Sequence, residues 1–386
     1  IVIEKGGRPM VYVDYSATAP MSQYAIETYK DIAKRFYGNP SSPHNEGTNA
    51  KQILENARRM IAHCAGVVPE GIYFTGSGTE GNLIAILSIA RANAQKGKHI
   101  ITSAAEHTSV HAAMNTLEQE GFQITRLPFN QNGQVSIQAI REAICDETIL
   151  ISIQHINPEI GSIQPIEQII KLAKKYQIRC HVDCVQSFAK FPLESFASKV
   201  DAMVFSAHKV GGPKGCGAVY IHPKCKASLL FPGLTHEGGL RGGTVDVPGI
   251  AAFAVAAIET KEQTNLSHLS TLRNKLKELL ADSPYQFVEA PNEVQYPAIC
   301  GMQIKGLEGQ YIMLHLNERG IYISTGSACD ANSSVGTKAI IAMGYHIDEA
   351  RQFFRISFSS QTTSEDIKKV AEGLIEIVNC TKSMEL

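Results

Sequence analysis

Two residues at the ends of apolar runs are costly to leave there without a partner. Lys209 closes Val204-Phe205-Ser206-Ala207-His208-Lys209 and leads into the turn Gly211-Gly212-Pro213. Burial lowers an amine's pKa, and a neutral amine attacks aldehydes. Lys209 therefore reads either as a Schiff-base former or as an ordinary surface charge. Asp183 ends the apolar run 178–183. A carboxylate at the carboxyl end of a buried strand needs a cationic partner, such as a pyridinium nitrogen, or else caps its own loop. Gln186, three residues on, can reach the same ligand.

Four further features join them. Phe74-Thr75-Gly76-Ser77-Gly78-Thr79-Glu80 reads as a strand, a glycine turn and a helix start, so it is either a tight turn or a cradle for phosphate. It lacks the Gly-Lys-Ser/Thr of a nucleotide-binding P-loop. Cys329 lies in the small, polar run 324–334, which reads as a loop and favours a reactive thiol over an inert one. His107 follows an apolar strand, as a catalyst or as a satisfied structural group. Arg355, in Phe353-Phe354-Arg355-Ile356-Ser357, is placed either to grip a carboxylate with two N–H groups or to form a structural ion pair.

The elements that must position these residues are legible as alternation. Apolar, β-branched runs at 72–75, 99–102, 123–127, 148–154, 178–183, 202–206 and 217–221 predict seven strands. Helical patterns fall between them at 80–96, 108–120, 137–144 and 165–176. Such alternation predicts an α/β fold with a mainly parallel seven-stranded sheet covered on both faces. Ligands on these sheets bind beyond the carboxyl ends of the strands. From about 250 the pattern changes to an apolar helix, a polar stretch at 261–270, and then a smaller α/β segment. Its last helix starts behind Thr363 or Ser364, with Ile367, Val370, Ala371, Leu374, Ile375 and Val378 on one apolar face.

The 386 residues are 44% hydrophobic and 19% charged, a globular balance. With 36 basic against 37 acidic residues, no electrostatic footprint points to nucleic acid or to an anionic membrane. No run reaches the roughly 18 apolar residues of a membrane span, and the first residues lack the core of a signal peptide, so a cytoplasmic location is expected. Nine cysteines are irregularly spaced without a CxxC pair, so no metal site is expected and most read as reduced, buried thiols.

Taken together and in order, the motifs resemble the class V branch of fold-type I pyridoxal-phosphate enzymes. Within it they are most similar to the cysteine desulfurases of the NifS/IscS-like group. The similarity runs from Asp14-Tyr15-Ser16-Ala17-Thr18 through Gly38-Asn39-Pro40-Ser41-Ser42 to the last helix. It implies a large cofactor-binding domain over 16–260, and a small domain of 1–15 and 261–386 carrying the catalytic cysteine loop. It implies pyridoxal 5'-phosphate on Lys209, Asp183 against the ring nitrogen, Gln186 at the ring hydroxyl and His107 stacked on the ring. Gly78, Thr79, Ser206 and His208 would bind the phosphate, and Thr244 the phosphate of a neighbouring subunit, which implies a homodimer. Asn39 and Arg355 would hold the carboxylate of L-cysteine. Cys329 would take the sulfur and pass it to a protein acceptor. Relatives without need of Cys329, such as class V aminotransferases or selenocysteine lyase-like enzymes, and an inactive sulfur-transfer scaffold are the alternatives. One departure is local: Asn157-Pro158-Glu159 places a proline, which has no donor, where the resemblance expects an asparagine that donates to the ring hydroxyl.

Overall fold

The computed structural model describes residues 10–326 and 337–384. The chain enters through β1 (Val11–Tyr12), followed by helices α1 (Gln23–Arg35) and α2 (Asn45–Ala65). Strands and helices then alternate: β2 (Ile72–Thr75), α3 (Gly78–Asn93), β3 (His99–Ser103), α4 (Thr108–Gln119), β4 (Gln123–Leu127), α5 (Ile137–Ala143), β5 (Thr148–Gln154) and α6 (Ile166–Lys175). Strands β6 (Arg179–Asp183), β7 (Ala202–Ser206) and β8 (Gly217–Ile221) complete the series.

Among the described residues, β2 to β8 form one seven-stranded sheet in the order β2-β8-β7-β6-β5-β3-β4. Only β8 runs against its neighbours. Every residue of β3, β5, β7 and β8 is buried, as expected of strands covered on both faces. The parallel strands β5, β6 and β7 end side by side, with Gln154 opposite Asp183 and Asp183 opposite Val204. That shared edge carries the candidate site.

Helix α7 (Val247–Gln263) is apolar from Val247 to Ile258, turns polar over its last five residues, and packs against α1 and α2. Next come α8 (Leu266–Leu279), β9 (Gln286–Phe287), β10 (Ile299–Gln303), α9 (Gly309–Glu318) and β11 (Ile321–Tyr322). The chain ends with α10 (Lys338–Ala342), α11 (Ile347–Arg351), β12 (Phe353–Ser357) and α12 (Ser364–Met384). A small antiparallel sheet runs β12-β10-β9, while β1 pairs in parallel with β11. Val11 and Val13 bury themselves with Leu272, Ile312, Phe354 and Leu374, so the start of the chain shares a core with its last third. No helix among the described residues is long and apolar enough to cross a membrane.

Two expectations need correcting. The polar stretch 261–270 is mostly helical, because Asp246 caps α7 by accepting from Gly249 N and Asn265 caps α8 by accepting from His268 N. Polar residues there form the outer faces of two helices joined at Thr264. In α12, Ile375 is 38% exposed and Ile377 is buried in its stead. At about 100° per residue, position 377 falls within about 20° of 370 at one edge of the buried face, whereas 375 rotates about 40° past 371 at the other.

Candidate active site

At the carboxyl ends of β5, β6 and β7, a cavity of about 210 Å³ opens. It is small even for a small-molecule pocket, and suits a compact polar ligand. Nine residues singled out from the sequence line it: Gly78, Thr79, His107, Asp183, Gln186, Ser206, His208, Lys209 and Arg355. Ser16, Asn82 and Pro158 line it as well.

The glycine turn forms one end. Ser77 caps α3 by accepting from Glu80 N at 3.1 Å, and the Glu80 carboxylate in turn accepts from Gly76 N. The turn of backbone N–H groups that opens the 16-residue helix α3 carries the positive end of its dipole to the cavity. The turn must lie close to the sheet. A Cβ on Gly78 would stand 2.8 Å from Val185 Cγ2, and one on Gly217 would stand 2.7 Å from the backbone carbon of Ser77. Ser206, at the end of β7, is 3% exposed at this same end. His208 Nδ1 lies 3.1 Å from Thr18 Oγ1. Burial pushes the His208 imidazole down to about 4, and the charges of Lys209, Lys190, Lys214 and His107 add to this. A bound anion would offset those positive charges.

Asp183 holds the deep wall. Its Oδ1 accepts from Val185 N at 2.9 Å and its Oδ2 from Asn82 Nδ2 at 2.8 Å. Asn82 Nδ2 also donates to Ser109 Oγ at 2.9 Å. His107 caps α4: its Nδ1 accepts from Ser109 N at 3.1 Å and sits 2.8 Å from Ser109 Oγ. A backbone N–H can only donate, so the neutral His107 ring carries its hydrogen on Nε2. Asn82 thereby ties the acid to the imidazole.

Lys209 stands half-buried in the short turn after β7. Its Nζ donates to Ser16 O and Ala17 O, both at 2.7 Å. Gln186 Nε2 donates to the same Ser16 carbonyl at 2.7 Å, and Gln186 Oε1 accepts from Lys190 Nζ at 3.2 Å. Burial pushes the Lys190 amine down to about 7, with the Lys209 charge adding to it. Arg355 also lines the cavity and is 1% exposed, with Nη2 on Asp14 Oδ1 at 2.7 Å and Nη1 on Pro158 O at 2.9 Å. Its Nε is buried without a hydrogen-bond partner among the described residues, and Nη1 and Nη2 each keep a second N–H beyond the bond named.

Of the remaining residues expected to serve the site, Asn39 is not brought to this cavity, and Thr244, expected to reach a neighbouring subunit, does not line it either. Asn39 is exposed and accepts from Ser41 N at 2.9 Å in its own turn. Thr244 is exposed and away from the cavity. Cys329 lies outside the described residues. Among the described cysteines, Cys64, Cys180, Cys184, Cys216 and Cys300 are buried and free. Asn82, Ser16 and Lys190 were assigned no role from sequence. Asn82 stands one helical turn beyond Gly78 and Lys190 four residues beyond Gln186, a spacing that places each beside a recognised residue.

The covered parallel sheet, the lysine and acid at its carboxyl edge and the helix start facing them define a class. The family model of class-V aminotransferases matches residues 11–370, and the chain belongs to that family. A putative cysteine desulfurase NifS of Halalkalibacterium halodurans is 37% identical over 96% of this chain and 98% of its own length. A solved NifS-like protein superposes with a TM-score of 0.88 at 31% identity, covering 96% of this chain and all of that one. SspA, solved in complex with cysteine, gives a TM-score of 0.79 at 32% identity over 91% of this chain and 99% of its own.

Proposed function

We propose that this chain is a cysteine desulfurase: it converts L-cysteine to L-alanine with pyridoxal phosphate and leaves the sulfur as a persulfide on Cys329. The observation that carries the reading is the convergence of Lys209, Asp183 and the α3 start on one cavity. The names of the relatives and the cysteine bound to SspA support the choice of substrate.

The residues fit the cofactor. The cradle at Gly78, which a Cβ would crowd, suits its phosphate together with Thr79, Ser206 and His208. Asp183 suits a protonated ring nitrogen, Gln186 the ring hydroxyl, His107 the ring face and Lys209 Nζ the aldehyde. Bound there, pyridoxal phosphate supplies an electron sink for the substrate's carbon skeleton.

This chain's own groups do the rest. Arg355, through the N–H groups that Asp14 and Pro158 leave unused, holds the substrate carboxylate. Lys209 Nζ and His107 Nε2 hold and hand over protons. The Cys329 sulfur attacks the substrate sulfur: a C–S bond breaks, an S–S bond forms, and the thiol hydrogen ends on the methyl of alanine. The count is redox-neutral. Thr244 serves the neighbouring subunit of a homodimer in the cytoplasm, and a protein acceptor takes the sulfur.

Borohydride reduction of the yellow protein, followed by peptide mass analysis, should place the cofactor on Lys209. An alanine assay with Cys329→Ala should show loss of turnover and of persulfide while the spectrum persists. Unchanged turnover in that variant would remove Cys329 from the mechanism.

A further inference from the structure

Pro158 lines the cavity yet has no hydrogen to donate; its carbonyl accepts from Ser16 Oγ at 2.8 Å and from Arg355 Nη1 at 2.9 Å. In pyridoxal phosphate the ring hydroxyl is ortho to the aldehyde carbon. The ring oxygen must therefore settle among the groups around Lys209 Nζ. Ser16 is central to that set. Its carbonyl accepts from Lys209 Nζ and from Gln186 Nε2, its amide donates to Ser357 Oγ at 2.9 Å, and its hydroxyl touches Pro158. The residue lines the cavity and is 3% exposed, so it is shielded from bulk water.

We propose that the Ser16 hydroxyl is the second hydrogen-bond donor to the ring oxygen, beside Gln186, and stands in for the donor that Pro158 lacks. The inference rests on the cofactor reading above. A rotation about the Ser16 Cα–Cβ bond redirects the hydroxyl from Pro158 O to the ligand. Pro158 O is not orphaned by this, because Arg355 Nη1 still donates to it. The backbone bonds of Ser16 hold the pivot fixed during the turn. Ser16 thus positions the ring and favours the ionised form of its oxygen.

The test is the absorbance of the protein loaded with pyridoxal phosphate, read as the ratio of long- to short-wavelength bands at one pH. A donor lost from an ionised oxygen lowers that ratio, by roughly tenfold. Ser16→Ala should show this drop while still unfolding in one cooperative thermal transition. In a Pro158→Asn background, where an amide donor is restored, the same substitution should change the ratio at least threefold less. An unchanged ratio in Ser16→Ala overturns the proposal. So does an equal drop in both backgrounds, which would make Ser16 independent of Pro158. Absence of any visible band in the parent protein is a different failure: it overturns the cofactor reading, and this inference with it.

Discussion

Asn82 donates its side-chain N–H to Asp183 Oδ2 at 2.8 Å, from the second turn of α3 across to the end of β6. The same nitrogen donates to Ser109 Oγ, which contacts His107. One amide therefore fixes both the carboxylate meant for the ring nitrogen and the imidazole meant for the ring face. Asn82→Ala should weaken cofactor binding about 10- to 100-fold, the range for losing a hydrogen bond to a charged group. Equilibrium dialysis of the variant reads this directly. Affinity within twofold of the parent would mean that Val185 N alone orients Asp183.

Arg355 and Asp14 form an ion pair across 341 positions of sequence, with side chains 1% and 18% exposed. Removing one partner from a buried pair leaves the other uncompensated, which costs about 3 kcal/mol, at the low end of the usual range because Asp14 is partly wet. Arg355→Ala should therefore lose both stability and substrate. Denaturant melts would show a lower midpoint, and KM for L-cysteine should rise at least tenfold. Asp14→Asn keeps a hydrogen-bond acceptor for Nη2 but leaves the guanidinium, 1% exposed, without its counter-charge, so it should lower the midpoint as well.

That pair also shows what the sequence could and could not disclose. The seven strands of the large sheet are legible because each is a short apolar run closed by turn residues, and strand ends place Asp183 and Ser206 without further information. Lys209 and Gly78 follow from their neighbours in the chain. Contacts such as Asp14 with Arg355, or Ser16 with Pro158 across 142 positions, follow only from how the chain closes on itself. Neither carries a local signature. The helical character of 261–270 was hidden for a different reason: a solvent-facing helix surface has the composition of a loop, and only the capping residues Asp246 and Asn265 give it away.

Glu106 gives a pH dependence with a defined sign. It precedes His107 in the chain and is 1% exposed, with Ser103 Oγ donating to it at 2.6 Å and Gln154 N donating to Oε2 at 3.0 Å. Burial pushes its carboxyl up to about 8, with Asp183's charge adding to this against the lowering effect of the two hydrogen bonds. The unfolded chain releases that proton near 4.5. Between those values the folded state binds more protons than the unfolded, so this contribution to stability is full below 4.5 and is lost as pH rises through 8. Glu106→Gln, uncharged at every pH, should remove that slope. Thermal midpoints at pH 5 and pH 8 should differ more for the parent than for the variant, and equal differences would show that Glu106 is ionised throughout.

Gly78 tests the cradle by space alone. It has no positive φ to defend, so its requirement is close approach: an added Cβ meets Val185 Cγ2 at 2.8 Å and Ser206 Cβ at 3.3 Å. Val185 is β-branched and has one favoured side-chain rotamer, so relief must come from moving the start of α3 away from β7. That displacement carries the first N–H groups of the helix away from the phosphate position. Gly78→Ala should destabilise the fold by about 1–3 kcal/mol and, separately, lower affinity for inorganic phosphate as well as for the cofactor. Val185→Ala in the same chain removes the clashing methyl. It should restore phosphate binding, measured by calorimetry, even where it does not restore stability. Failure of the double variant to regain phosphate affinity would place the close contact at Ser206 instead and identify β7, rather than the loop after Asp183, as the wall that sets the cradle's width.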